Sequence, residues 1–228
     1  MMNLVKKYYR IRNLVHSTFS KGEKMEILFA TTNKGKVKEL KSAFKTAAIN
    51  VSLKTNADLD RPPVVDEYGI TFEQNAKLKA HELADYSHML TIADDSGLIV
   101  DALDGAPGVH SARFAGPEHN DQKNNAKLLA ELGGVPLKKR TARFNTTIVV
   151  SKPGHFDQDL VVSGQCEGLI LPAPQGDDGF GYDPLFYVPE KQKTFAEMTI
   201  AEKNSLSHRG KAISQLLKEL PQWLAQFE

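Results

Sequence analysis

Two adjacent carboxylates define the chemistry to look for in this chain. In LTIADDSGLIVDALDGAPGVHSARFAG, residues 90–116, an apolar run delivers Asp94 and Asp95 side by side, and Ser96-Gly97 follow at an expected turn. Neighbouring residues on an extended strand point to opposite faces. One carboxylate is therefore expected to face a cleft, and the other to support the turn or the shell beside it. A carboxylate at a strand end can hold Mg²⁺ or take a proton from water. Upstream, Asp66-Glu67 precede Tyr68-Gly69 and offer a second acidic ligand. Magnesium typically takes one or two protein carboxylates and completes its shell with phosphates. The same Asp-Asp-Ser triplet can also do no more than hydrogen-bond a turn. The apolar run directly before it favours a site.

Cations and an aromatic ring stand at three further places. ILFATTNKGKVKEL puts Thr31, Thr32, Asn33, Lys34, Gly35 and Lys36 between a strand and a helix. Such a turn aims backbone N–H groups and the positive end of the helix dipole at one spot. Lys34 and Lys36 add charge where a phosphate would sit, although a capped helix with solvated lysines has the same sequence signature. The P-loop spacing is absent, with Val37 where its hydroxyl residue should be. Gly176-Asp177-Asp178-Gly179-Phe180-Gly181-Tyr182-Asp183-Pro184 is a glycine-rich loop carrying a ring and a carboxylate. A nucleobase can stack on Phe180, a contact worth about 1–3 kcal/mol in single-strand binders; the alternative is a tight turn around a buried ring. EKNSLSHRGK, residues 202–211, gathers Lys203, Arg209 and Lys211 around His208, with Ser207 able to cap a helix. The guanidinium of Arg209 suits a phosphate or a base carbonyl. Neither zinc spacings of the HExxH or CxxC kind nor a G-x-S-x-G nucleophile elbow occur.

Elements of ordinary kinds must position these groups. Glu26–Ala30 reads as a buried strand. From Gly35 to Ala48, Val37, Leu40, Phe44 and Ala47 fall on one helical face. Thr71-Phe72-Glu73-Gln74 fits a capping box for a helix reaching about Ser87. Leu90–Ala93 and Leu98–Asp101 read as two short strands on either side of the expected turn. Asn120–Leu132 is a helix ended by Gly133-Gly134. Thr141–Ser151 and Asp159–Leu169 form a hairpin around Pro153-Gly154. Arg209–Phe227 is a last helix with a kink expected at Pro221. Interleaved helices and strands followed by antiparallel strands predict an α/β fold with a mixed β-sheet flanked by helices.

The 228 residues suit one domain, or two lobes at most. With 41% apolar and 25% charged residues the composition is that of an ordinary globular protein. The formal net charge of +1 argues against broad binding to polymeric nucleic acid, which usually takes a strongly basic surface. That total is unevenly spread. Residues 1–24 carry six basic residues against Glu23 alone, a net +5, so residues 25–228 carry −4. The leader is read as a basic N-terminal extension outside the fold, an upstream start before Met25, or a targeting segment; residues 25–228 form the domain. Cys166 is the single cysteine, so no internal disulfide forms. A reducing, cytoplasmic setting is expected. No run of about 18 apolar residues exists, so no membrane span is expected.

Taken together, ATTNKGKVKEL, TFEQNAKLKA, the 90–116 stretch with FGYDPLF, and EKNSLSHRGKA closely resemble the inosine triphosphate pyrophosphatase family over about Met25 to Leu220. The resemblance implies an elongated mixed α/β fold of two lobes with an active-site cleft between them, usually a homodimer. It implies Mg²⁺-dependent hydrolysis of ITP, dITP and XTP to the monophosphate and pyrophosphate. Carried onto this chain, it makes Asp95 the general base and a metal ligand. Glu67 becomes the second metal ligand, with adjacent Asp66 the alternative by one position. Thr31 to Lys36 and Ser96 would bind the nucleotide, and Phe180, Gly181, Tyr182 and Asp183 would hold base and sugar. Lys203, His208 and Arg209 would close on the phosphates and the 6-keto edge. A related enzyme for other modified nucleotides and a non-catalytic nucleotide-binding module are the competing readings.

Overall fold

A computed structural model describes residues 24–227. The expected leader therefore lies outside the described residues, apart from Lys24. Seven strands form one sheet in the order β2-β1-β3-β4-β5-β6-β7. β1 (Met25–Phe29) lies parallel to β2 (Val51–Thr55) and to β3 (Thr91–Val100). From β3 onward every pairing is antiparallel, through β4 (Thr141–Ser151), β5 (Leu160–Ile170), β6 (Phe186–Val188) and β7 (Lys193–Thr194). The sheet is thus mixed and flanked by helices, as expected.

Burial follows the two-residue period of the strands. Ile27 and Phe29 of β1, Ile92 of β3, and Ile148 and Val150 of β4 pack with α1 (Lys34–Thr46) and α5 (His208–Leu224). The intervening residues Leu28, Ala93 and Val149 pack with Ala76, Ala80 and Leu83 of α2 (Phe72–Ser87) on the other face. A further apolar cluster joins Leu98, Val100 and Phe144 to Leu128 of α3 (Asp121–Glu131) and to Phe186 and Phe195. Cys166 is buried there, and burial pushes its thiol up to about 11.

The expected turn at Ser96-Gly97 is not there. β3 runs unbroken through Asp94-Asp95-Ser96-Gly97, paired at every position with β4 from Thr91 opposite Ser151 to Val100 opposite Ala142. Gly97 has a packing reason rather than a turning one. A Cβ there would meet Ser111 Oγ at 2.6 Å and the Phe72 ring at 2.7 Å. The last helix also departs from expectation. Lys203 belongs to a separate short helix, α4 (Ile200–Leu206), and Ser207 both ends it and caps α5 through Gly210 N–H. α5 continues through Pro221 as one helix. An interior proline costs about 3 kcal/mol. The buried side chains of Ile213, Leu216, Leu220 and Trp223 outweigh that at about 1.5–3 kcal/mol each.

Candidate active site

An unbroken β3 sends its two carboxylates to opposite faces of the sheet. Asp94 shares the face of Ile92, so it meets α1 and α5. Its Oδ2 lies 2.8 Å from Lys36 Nζ and 3.9 Å from Arg209 Nε, and accepts from Ser96 Oγ at 3.1 Å. Arg209 also donates from Nη1 to Glu39 Oε2 at 2.9 Å. Burial opposes the charge on Asp94, which is 3% exposed, but Lys36, Arg209 and Lys79 together hold its carboxyl well below the usual range. The same burial draws Lys36 below an ordinary lysine, against the pull of Asp94. Asp94 Oδ1 and Arg209 Nε remain buried without hydrogen-bond partners.

Asp95 shares the face of Ala93, so it meets α2. It accepts from Asn75 Nδ2 at 3.2 Å, and Oδ1 lies 3.6 Å from Lys79 Nζ. Lys79 Nζ also reaches Glu67 Oε2 at 3.3 Å, so two carboxylates converge on one ammonium. Burial raises the Asp95 carboxyl above the usual value, Lys79 opposes the shift and Glu67 adds to it. Asp66 makes no comparable contact. Glu67 is held in turn by Arg113, whose Nη2 donates to the Glu67 carbonyl at 3.2 Å. Oxygen donors converging on a position that already takes a cation fit a hard divalent ion. Among the described residues no cluster of three or more metal-ligating side chains occurs.

Asn33 caps α1, taking the amides of Gly35 at 2.8 Å and Lys36 at 3.2 Å. Those two N–H groups are therefore satisfied internally, and Lys36 supplies the charge that faces the cavity. Lys34 is exposed and does not line that cavity. In the glycine-rich loop, Phe180 is 46% exposed. Its N–H donates to Asp183 at 2.9 Å, and Lys203 Nζ lies 2.5 Å from the same carboxylate. Lys203 Nζ also sits 4.9 Å above the Phe180 ring. Gly181 is pinned to α3 by Asp121 and Asn125. The Tyr182 hydroxyl is spent on the Ser111 carbonyl.

Most of these groups surround one cavity of about 940 Å³, walled by Thr31–Asn33, Gly35, Lys36, Glu67, Lys79, Asp94, Ser96, the Phe180–Asp183 loop, Lys203, His208 and Arg209; Asp95, Asn75 and Arg113 are not part of that wall. That volume is at the upper end for small-molecule sites. Asp95 adjoins the cavity only through Lys79 and Glu67, and its side chain is 11% exposed. Sequence reasoning singled out neither Lys79 nor Asn75. The signal was their four-residue spacing on the helix that Thr71 caps, which puts both on the face turned to β3. Glu39, one turn beyond Lys36, was missed as a solvated helix charge.

His208 is 7% exposed, and burial, then Arg209, Lys203 and Lys36, hold its pKa well below that of an ordinary imidazole. Because the folded value lies below the unfolded one, this group stabilises the fold above the unfolded pKa. That contribution drains away as pH falls below about 6.5, at up to about 1.4 kcal/mol per pH unit. His208→Gln is expected to flatten the loss of stability between pH 7 and pH 5.5, read from denaturant midpoints. Identical slopes in the two proteins would contradict a buried neutral His208.

Comparison with known proteins bears on this arrangement. The model of the Ham1 family matches residues 27–219, close to the span of the sequence resemblance. A dITP/XTP pyrophosphatase of Lactobacillus acidophilus is 69% identical over 196 residues, covering 86% of this chain and 97% of its own. That of Geobacillus kaustophilus is 51% identical, covering 84% and 92%. Among solved structures, a HAM1 protein from Coxiella burnetii superposes with a TM-score of 0.81 at 36% identity, covering 87% of this chain and 99% of its own. The Staphylococcus aureus Ham1 protein gives 0.78 at 39%, covering 86% and 98%.

Proposed function

The chain belongs to the Ham1 family, and from that premise we propose that it is a nucleoside triphosphate pyrophosphatase acting on dITP, XTP and ITP. It releases the monophosphate and pyrophosphate with Mg²⁺ as cofactor. The observation that carries this reading is the division of β3. Asp95, with Glu67 and Lys79, stands on one face, while Lys36, Arg209 and His208 gather about Asp94 on the other; Asp95's partners Glu67 and Lys79 share one cavity with the second set.

Asp95 takes a proton from a water, whose oxygen bonds to the α-phosphorus. The bond from that phosphorus to the oxygen bridging towards the β-phosphorus breaks, and pyrophosphate leaves with the electron pair. Lys36 and Lys79 offset the charge gathering on the phosphates. Mg²⁺ held by Asp95 and Glu67 would supply further neutralisation of that charge. Phe180 stacks on the base, with Asp183 and Lys203 at its rim. His208 and Arg209 hydrogen-bond the 6-keto edge. A site built to bond such a group strongly rejects analogues without it. A homodimer belongs to the same reading, and light scattering that returns the mass of one chain would remove it.

Hydrolysis in ¹⁸O-labelled water tests the bond assignment. The label is expected in the monophosphate. Label in pyrophosphate would place attack at the β-phosphorus and overturn it.

A further inference from the structure

His208 reaches the cavity wall without a polar group to set its plane. A histidine ring is commonly oriented by a hydrogen bond from one nitrogen to a carboxylate or carbonyl. Here Nδ1 is buried and has no partner. What lies flat against the ring is Phe144 on β4, with centroids 4.7 Å apart and planes 13° from parallel. Phe195 lies beside Phe144, at 5.7 Å and 12°. Phe195 also lies 6.3 Å from the His208 ring at 18°, so the three near-parallel rings form a triangle, in which Phe144 makes the nearer contact with His208.

The register of the sheet explains why Phe144 and His208 stack. Phe144, Thr146 and Ile148 alternate onto the face that α5 covers, and Thr146 lies opposite Gly164 of β5. A Cβ at Gly164 would collide with the His208 carbonyl oxygen and the Ala212 backbone nitrogen. The bare backbone at Gly164 lets the first turn of α5 settle directly on the sheet. That contact fixes the His208 backbone, and Phe144 then fixes its ring.

We infer that Phe144 is a positioning residue for base recognition, holding the His208 imidazole in the plane from which it meets the 6-keto edge of a purine. This rests on the proposed reading of the cavity as a site for such bases. Phe144 borders the cavity itself, but it acts through the histidine. A flat ring is what the role requires, so an aliphatic side chain of similar bulk fills the core without supplying it.

The test compares Phe144→Leu with Phe144→Tyr in the full chain, with dITP and dATP as substrates and Mg²⁺ present. In the Leu variant kcat/KM for dITP is expected to fall about tenfold, mostly through KM, while dATP changes little, so the preference for the keto base shrinks. The Tyr variant keeps the flat face and most of the preference. An unchanged dITP-to-dATP ratio in Leu, or an equal loss in Leu and Tyr, overturns the proposal. His208→Gln separates this from the underlying reading. If that variant keeps the full preference, base recognition by His208 is what fails. If it loses the preference and Phe144→Leu does not, only the positioning role fails. Where the Leu variant does not fold, NMR of the unsubstituted protein decides. The His208 ring protons should carry upfield ring-current shifts that persist with dITP bound. Their return to ordinary values in the complex means that the stack is broken, and the proposal is wrong.

Discussion

Asp95→Asn is expected to lower turnover of dITP by about 10²- to 10⁴-fold, the range that positioned acid–base groups contribute, with the fold intact. Asparagine keeps the shape and an oxygen for Asn75 Nδ2, which now donates to Asp95 at 3.2 Å. It cannot take a proton from water, and it brings no negative charge to Lys79 or to a metal. Folding should survive because burial already works against that carboxylate's charge, with Lys79 only partly offsetting it. Circular dichroism and a denaturant midpoint check the fold, and single-turnover kinetics separates chemistry from binding. Retention of activity within about tenfold would fall below that range and remove Asp95 as the base.

The neighbouring carboxylate should behave in the opposite way. Asp94→Asn is expected to destabilise the protein by about 3–5 kcal/mol, the cost of removing one partner from a buried ion pair. Lys36 and Arg209 would then face each other with only Glu39, on Arg209, as counter-charge. Restoring balance should recover part of the loss, so Lys36→Met added to Asp94→Asn is expected to be less destabilised than the sum of the two single changes. A double-mutant cycle measures that coupling. Additive effects, or a loss below about 1 kcal/mol, would mean that the buried pair is not what holds the phosphate side to the base side. The contrast between adjacent aspartates is the sharper outcome, with one substitution sparing the fold and the other not.

Much of this was legible in the residues. The alternation of Asp94 and Asp95 followed from the strand period alone, and Thr71 and Ser207 cap the helices that the sequence assigned to them. Asp95 with Glu67, and Lys36 with Arg209, came from motifs far apart in the chain; the fold brings the first pair together on Lys79 and the second about Asp94. Ser-Gly misled because it carries a turn signal, whereas Gly97 answers to crowding by Ser111 and Phe72 from distant segments. Crowding of that kind has no local signature. The capping box was half right: Thr71 accepts from Gln74 N–H, but the Gln74 side chain reaches the Ile70 N–H one residue earlier. β2, β6 and β7 escaped notice because they are short, at five, three and two residues, and are held by pairing with their neighbours. Phe144 reads as ordinary core in any strand, and only the arrival of His208 on α5 gives its flat face a further use.

The most direct test is product analysis across a panel of purine triphosphates. dITP, XTP, ITP, dATP and dGTP are incubated with the protein and Mg²⁺, and pyrophosphate and orthophosphate are measured separately. The expected result is stoichiometric pyrophosphate from dITP, XTP and ITP, little from dATP or dGTP, and no orthophosphate from any of them. Orthophosphate as the primary product, equal rates on dATP, or nucleotide binding without turnover would contradict it.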